Sequence, residues 1–368
     1  MNPSRNFWEE LFGGLLSATP GEEIEMRLLR RGGQPFLLLP RQAKAAAAVF
    51  DLYPAQSAKA RAIKTLFRQL ARMGLAVGAE SVAVKISPRD DFVTFLASVA
   101  RTPAGITPVL GVLAGNPASP GQRFMIMLFN QDECPVAVVK AGLTEKAKEL
   151  IAKETLFLES APAGTLGLPR LRAKFQNNRL SALALDFCAG DSPRGNPPGP
   201  LSKLLSSWVN REKRIPCSEI KSWRALEQAV PKAVLAIAGL EKIRGHLVHP
   251  VLEHGDLAAW NVKVGEGEQW TVLDWERSQL EGTPAWDWFH YELQNAILVE
   301  RLSGSDLVEA ARGTLETPAF KAYAQLAGIS GIEQQLMQAY LLHIVHVIQP
   351  SEGRAQAEDL WRGLAIKK

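Results

Sequence analysis

Seven of the twelve residues at positions 189–200 are glycine or proline, and a stretch of that composition holds neither a helix interior nor a central strand. The chain is therefore divided there. Upstream it is rich in strand signals. Residues 108–114 form an apolar run, 115–121 are turn-rich, and 123–129 and 136–140 are further apolar runs joined by a polar turn. Short strands joined by short loops predict an antiparallel meander. Residues 144–160 carry helical periodicity through Ala147, Leu150, Ile151, Leu156 and Leu158, and 181–187 read as another strand. Downstream, helical spacing recurs over 201–208, 223–240, 293–302, 305–315 and 334–348.

The first hundred residues read as a separate unit. Within them, 56–74 predict an amphipathic helix with Ile63, Phe67, Leu70 and Met73 on one stripe and Lys64, Arg68 and Arg72 on another. The ordinary reading of the basic stripe is a solvated face; a membrane-surface or partner-binding helix is the other reading. Residues 82–86 predict a short strand. The expected organisation is thus 1–100 as an extra region, 101–190 as a strand-rich part and 191–368 as a mainly helical part.

Composition narrows the classes. A chain of 368 residues with 46% hydrophobic and 22% charged residues is ordinary globular material, and a net charge of +4 does not indicate nucleic acid. Cys134, Cys188 and Cys217 lie far apart without a C-x-x-C pair, so neither a zinc site nor a disulfide framework is expected. No apolar run approaches the roughly 20 residues that span a bilayer, and no signal-peptide pattern opens the chain. A cytoplasmic protein without an integral membrane segment is expected.

One segment of the helical part breaks its pattern. His254-Gly255-Asp256-Leu257-Ala258-Ala259-Trp260-Asn261-Val262-Lys263-Val264 is followed by Thr271-Val272-Leu273-Asp274-Trp275-Glu276. The residues Gly265-Glu266-Gly267-Glu268 predict a hairpin turn between two short strands. Folding that hairpin brings the carboxylates of Asp256 and Asp274 and the carboxamide of Asn261 to one end. Such a set, one carboxylate beside a pair of hard oxygen donors, is what phosphoryl transfer requires.

At these residues the chain resembles the aminoglycoside phosphotransferase and choline kinase family of the protein-kinase-like superfamily. HGDLAAWN resembles that family's catalytic loop H-G-D-x-x-x-x-N, LDWE its metal-binding segment, and Gly282-Thr283-Pro284-Ala285-Trp286-Asp287 its G-x-P-x-x-D continuation. The resemblance runs from about Gly105 to the region of Asn295 and leaves the first hundred residues unexplained. It implies a bilobal α+β kinase-like fold, with a small antiparallel-sheet lobe and a larger, mainly helical lobe. The implied activity is transfer of the γ-phosphate of ATP to a hydroxyl of a small acceptor (a sugar, amino sugar or amino alcohol). Asp256 would be the catalytic base, Asn261 and Asp274 the Mg²⁺ ligands, and Asp287 a brace for the loop. Lys140 would reach the nucleotide phosphates and pair with Glu154, with Glu149 and Glu159 as alternatives. Gly115, Ser119 and Gly121 would lie in a phosphate-covering loop that lacks the G-x-G-x-x-G pattern, and Asp186 and Cys188 in the adenine-binding hinge. Glu276 stands where protein kinases have glycine, which points to the small-molecule branch.

Other readings stay open beside this one. A catalytically silent pseudokinase that binds nucleotide would share the same motifs. His254 reads as a loop-bracing residue. His246, His249, His343 and His346 read as core or surface histidines, since no cysteine or second ligand cluster accompanies them. Trp275 and Trp286 read as core packing around the metal-binding segment, with an aromatic box for a quaternary ammonium, built from Trp260, Trp275, Trp286 and Trp288, as the minority reading. Glu292, Glu300 and Glu309 are the acidic residues that could receive an acceptor amine. Neither the acceptor nor the oligomeric state follows from the sequence.

Overall fold

The computed structural model describes residues 7–13, 22–55, 57–87, 89–103, 105–117, 119, 121–193, 198–348 and 354–365. Two compact units emerge, Met1–Glu159 with Pro169–Cys188, and Ser160–Leu168 with Ala189–Lys368. The last break between them, from Cys188 to Ala189, falls at the start of the glycine- and proline-rich stretch.

The first unit is an eight-stranded sheet with helices on both faces. Its elements run α1 (Phe7–Leu11), β1 (Glu22–Arg31), β2 (Gln34–Leu39), α2 (Ala43–Val49), α3 (Ala58–Arg72), β3 (Glu80–Ile86), α4 (Asp91–Ala100), β4 (Leu110–Ala114), β5 (Arg123–Phe129), β6 (Pro135–Gly142), α5 (Glu145–Ser160), β7 (Leu171–Gln176) and β8 (Ser181–Asp186). The sheet order is β3-β1-β2-β4-β5-β6-β8-β7, and every neighbouring pair is antiparallel. The meander expected over 108–140 is β4–β6. The boundary expected near residue 100, however, is absent from the sheet. β1, β2 and β3 extend it beyond β4, through the pairing of Leu37 with Leu113 and Leu38 with Val112. A signal for this was present: Ile24, Met26 and Leu28 alternate, and Gly32-Gly33, both at positive φ, turn β1 into β2.

Alternation along the strands fills two cores. Leu28, Val84, Val112 and Ile126 pack with Phe92 and Leu96 of α4. Leu37, Leu39, Leu113 and Met127, pointing the other way, pack with the alanines and Val49 of α2. Neighbouring residues such as Val112 and Leu113 belong to opposite cores because successive side chains on a strand face opposite ways. α3 sits differently from its sequence pattern. Lys64 and Arg68 turn toward Asp51, at 3.6 Å and 3.1 Å, whereas Ile63 and Met73 of the expected apolar stripe are 46% and 65% exposed.

The second unit contains α6 (Pro198–Ser207), β9 (Ile215–Pro216), α7 (Lys221–Ala229), α8 (Lys232–Ile237), β10 (Leu247–Val248), β11 (Val251–Glu253), β12 (Val262–Val264), β13 (Trp270–Val272), β14 (Gln279–Gly282), α9 (Trp286–Gln294), α10 (Gly304–Glu316), α11 (Pro318–Ala327), α12 (Glu333–His346) and α13 (Arg354–Ala365). The single helix expected over 223–240 is two, interrupted at Pro231, whose ring and missing N–H end α7. The helix expected over 293–302 instead begins at Trp286 and passes into a π turn over Asn295–Val299. Three antiparallel two-stranded pairs, β9 with β10, β11 with β14 and β12 with β13, are the strand content among the described residues of this unit. The last two carry the H-G-D loop and the hairpin.

α4 is anchored by charge as well as by packing. Asp90 caps it by accepting the N–H groups of Phe92 and Val93, and also receives both Arg179 nitrogens at 2.7 Å from the β7–β8 turn. Both side chains are largely buried. Asp90→Ala removes the cap and leaves a guanidinium without its carboxylate, so a loss of about 3 kcal/mol is expected, measurable by urea denaturation.

Candidate functional site

β11 ends at Glu253 and delivers the chain into the loop His254-Gly255-Asp256. Gly255 has φ +77°, a left-handed conformation that glycine takes without a Cβ penalty. A Cβ there would also stand 2.9 Å from the Arg277 carbonyl oxygen. Asp287, in the first turn of α9, braces this loop from below: Oδ2 accepts the His254 N–H at 2.6 Å and Oδ1 the Gly255 N–H at 2.9 Å. His254 is fully buried and both its ring nitrogens are used. Nδ1 accepts the Asp256 N–H at 3.1 Å, so Nε2 carries the proton and donates to the Leu273 carbonyl at 2.9 Å. His254 therefore ties the loop to the hairpin and has no nitrogen left to act as a base.

The expected hairpin forms from β12 and β13, with Val262 opposite Val272. Its open end sets the other two polar residues. Asn261 donates its side-chain N–H to the Asp256 carbonyl at 2.9 Å, which turns the carboxamide oxygen the other way. The Leu273 N–H donates to the Asn261 carbonyl at 2.7 Å, so Asp274 follows directly from a residue bonded to Asn261. Asp274 lies at φ +73°, an uncommon backbone state that aspartate tolerates better than most residues. Strained positions of this kind cluster at functional sites. Asp256, Asn261 and Asp274 thus share one loop-and-hairpin assembly.

Two residues not singled out in the sequence hold the Asp256 carboxylate. His290 Nε2 lies 3.2 Å from Asp256 Oδ1, and Arg277 Nη1 lies 3.7 Å from the same oxygen. His290 Nδ1 is 2.9 Å from the Tyr340 hydroxyl. An ionised carboxylate only accepts, so Nε2–H donates to Asp256, while Nδ1 shares a hydrogen bond with the Tyr340 hydroxyl. Burial pushes the Asp256 carboxyl up, but the hydrogen bond and charge of His290, with Arg277 behind them, outweigh it and leave it below its ordinary value. Tyr340 is held well above the usual phenol range by burial and by the charges of Asp256 and Asp287, so it keeps its proton. His290 stands three residues after Asp287 on α9, one helical turn along the same face. That spacing was the available signal, but it gives no partner without the tertiary fold.

In the first unit, Lys140 on β6 and Glu154 on α5 meet. Nζ lies 2.6 Å and 2.8 Å from the two carboxylate oxygens, with the side chains 4% and 0% exposed. The other two candidates have surface partners, Glu149 with Lys146 and Glu159 with Lys174. In the loop between β4 and β5, Gly115 and Gly121 are accounted for by packing. A Cβ on Gly115 would stand 2.3 Å from the Arg123 carbonyl, and one on Gly121 would stand 2.7 Å from Leu150. Ser119 is exposed in the turn, between hydrogen bonds to Asn116 and Gln122; Ala118 and Pro120 lie outside the described residues. Asp186 ends β8 and pairs with Arg172 at 2.6 Å, and its carbonyl accepts the Cys188 thiol at 3.5 Å.

Three of the four tryptophans pack on separate aromatic partners. Trp275 packs on Trp208 and His254, Trp286 on Tyr340 and His343, and Trp288 on Phe320 and Tyr323. Trp260 is half-buried on the loop. Among the described residues no group of three or more His, Cys, Asp and Glu is arranged to hold a metal. His246 and His249 bond the Gly328 and Lys213 carbonyls, and burial lowers His343 to about 4. Glu292 is raised to about 7, first by burial and then by the charge of Glu300. Glu309 is exposed on α10.

No protein-family model matches the chain, and neither does any curated protein. Solved structures do. Aminoglycoside phosphotransferase APH(4)-Ia is 11% identical over 74% of this chain and 96% of its own, with a TM-score of 0.47. A candidate fructosamine-3-kinase from Haemophilus somnus 129PT is 11% identical over 74% and 96%, with a TM-score of 0.43. ADP-bound aminoglycoside phosphotransferase APH(2'')-Ib is 13% identical over 69% and 92%, with a TM-score of 0.39. At these values the likeness bears on neither substrate nor residue roles, which have to come from the side chains.

Glu253, next to the loop, is buried with one oxygen accepting the Thr283 N–H at 2.8 Å and the Ser222 hydroxyl at 3.3 Å. Gly282 permits this approach, since a Cβ there would stand 2.1 Å from that of Glu253. Burial, and then the charge of Asp287, raise Glu253 from 4.5 to about 8. Over that window the folded chain holds a proton that the unfolded chain has released, so stability falls as pH rises through it. Denaturant midpoints measured at the two ends of the window are expected to fall in the wild type and to differ less in Glu253→Gln.

Proposed function

We propose that this protein is an ATP-dependent kinase of the small-molecule branch of the protein-kinase-like superfamily, transferring a phosphoryl group to a hydroxyl of a sugar, amino sugar or amino alcohol. The observation that carries the reading is the loop-and-hairpin assembly, in which the Asn261 side-chain N–H donates to the Asp256 carbonyl and the Leu273 N–H donates to the Asn261 carbonyl, so that Asp256, Asn261 and Asp274 stand on one bonded stretch of loop and hairpin. The buried bidentate pair of Lys140 and Glu154 supports it independently.

In this reading Asp256 orients the acceptor hydroxyl and takes its proton. A carboxylate held below its ordinary pKa is ionised at neutral pH and binds a hydroxyl proton well while pulling weakly. That suits a loose transition state in which the proton leaves late. Its ionised state and direction come from His290, fixed in turn by Tyr340. Asn261 and Asp274 offer two hard oxygens, a donor set that suits Mg²⁺, which keeps several of its waters. The metal would supply charge neutralisation at the phosphates. Lys140 would neutralise further phosphate charge, its ammonium pointed by Glu154. Gly115, Ser119 and Gly121 would border the phosphates, and the main chain at Asp186 and Cys188 would meet the adenine. An acceptor amine would be drawn to Glu292 and Glu300.

Asp256→Asn is expected to stay folded and to lose about three orders of magnitude in turnover. The measurement is coupled ADP release across sugars, amino sugars, aminoglycosides and choline-like alcohols. Undiminished transfer by the variant would remove Asp256 from the chemistry. Nucleotide binding by the wild type with no acceptor consumed would favour the silent pseudokinase.

His290→Ala is expected to raise the Asp256 pKa, moving the acid limb of the rate profile to higher pH and lowering kcat about tenfold. His290→Gln, which can still donate, should recover part of the loss. An unmoved acid limb would mean that His290 only packs.

A further inference from the structure

The kinase reading leaves α3 and the segment after it without a purpose. Five basic residues, Lys59, Arg61, Lys64, Arg68 and Arg72, lie on α3, and no acidic residue occurs between Asp51 and Glu80. The whole chain has a net charge of only +4, so this segment accounts for the positive balance. Lys64 and Arg68 are engaged by Asp51 and, together with Phe67 and Ala71, hold the helix to the unit. Lys59, Arg61 and Arg72 are exposed and form no ion pair with any described residue.

The same segment carries apolar side chains that packing leaves in water. Twelve large apolar residues are exposed among the described residues, and five of them fall within 63–77: Ile63, Leu66, Met73, Leu75 and Val77. Ile63, Leu66 and Met73 recur at spacings of three and seven, which stacks them along one side of the helix. Lys59, four residues before Ile63, shares that side, and Arg61 and Arg72 flank it. A cavity of about 380 Å³ opens behind Ile63, between α3 and the β1–β2 hairpin. Its floor includes Leu29, Phe36 and Phe67, and Arg30 and Arg31 line its edge.

We infer that α3 and the segment through Val77 dock the protein on an anionic phospholipid surface. An exposed apolar stripe flanked by unpaired basic chains of one sign is the composition of a helix that lies in a lipid interface. Long basic side chains reach outward to headgroup phosphates while the apolar residues enter the acyl boundary. The cavity behind the helix offers an apolar recess with cationic edges, which complements an acyl chain bearing an anionic head. A folded acidic partner would be met by directed hydrogen bonds, whereas this face presents exposed aliphatic chains interleaved with exposed cations. No helix among the described residues is long and apolar enough to cross a membrane.

The test is co-sedimentation of the full chain with phosphatidylcholine vesicles, with and without phosphatidylglycerol. Binding is expected only with the anionic lipid and should weaken as salt rises. Leu66→Ser/Met73→Ser and Lys59→Glu/Arg61→Glu alter exposed positions, so both should retain the wild-type thermal midpoint and each should bind about tenfold more weakly. Equal binding to neutral vesicles, no binding to either kind, or variants that bind like the wild type would overturn the inference. So would self-association of the wild type that Leu66→Ser/Met73→Ser abolishes in the absence of lipid binding, since a second copy would then be the occupant.

Discussion

Asp287 is 5% exposed on the first turn of α9 and directs both carboxylate oxygens at backbone N–H groups of the loop that carries Asp256. Those two bonds decide where β11 ends, how Gly255 turns and which way Asp256 leaves the chain. A carboxylate in the first turn of a helix is also favoured by the unsatisfied N–H groups at that end. Because α9 continues one turn to His290, the helix that fixes the loop's backbone also fixes its side chain. A single short helix therefore sets both the position and the ionisation of Asp256.

Burial of charge is handled in two different ways. Lys140 and Glu154 cancel each other, with two short bonds to one ammonium in a nearly water-free place. Such a pair gains little stability over an apolar one, but loss of either partner leaves a buried charge uncompensated. Glu253 and Asp287 have the same sign, and burial raises both. Their arrangement is tolerable because Asp287 is stabilised as an anion by backbone donors while Glu253 retains its proton toward neutral pH. The glycine at 282 admits that protonated carboxyl, which gives a packing reason for the first residue of the G-x-P-x-x-D pattern.

The N-terminal residues have a double character. β1, β2 and β3 are structural, since they continue the sheet and bury Met26, Leu28 and Val84 in its core. α3 instead keeps only part of itself packed and leaves aliphatic chains and arginines outward. Its amphipathic pattern was readable, but its orientation was not. Asp51 draws Lys64 and Arg68 inward, and that interaction comes from a residue thirteen and seventeen positions away, outside the helix.

Local chemistry determined a large part of this protein from sequence alone. The glycine- and proline-rich break, the strands β4–β6 and β8, the helix α5 and the hairpin β12–β13 are set by residues close in the chain, where turn preference and periodicity act. The grouping of Asp256, Asn261 and Asp274 was legible for the same reason, since all three lie within nineteen positions. Tertiary structure alone decided that β1–β3 join the sheet, and it selected Glu154 over the alternatives Glu149 and Glu159 as the partner of Lys140. It also decided that His290, itself bonded to Tyr340, holds Asp256, and that Trp275, Trp286 and Trp288 pack on separate partners. Each of these depends on side chains far apart in sequence meeting in a low-dielectric interior, where hydrogen-bond direction and the cost of an unpaired charge select among partners that look equivalent in the sequence.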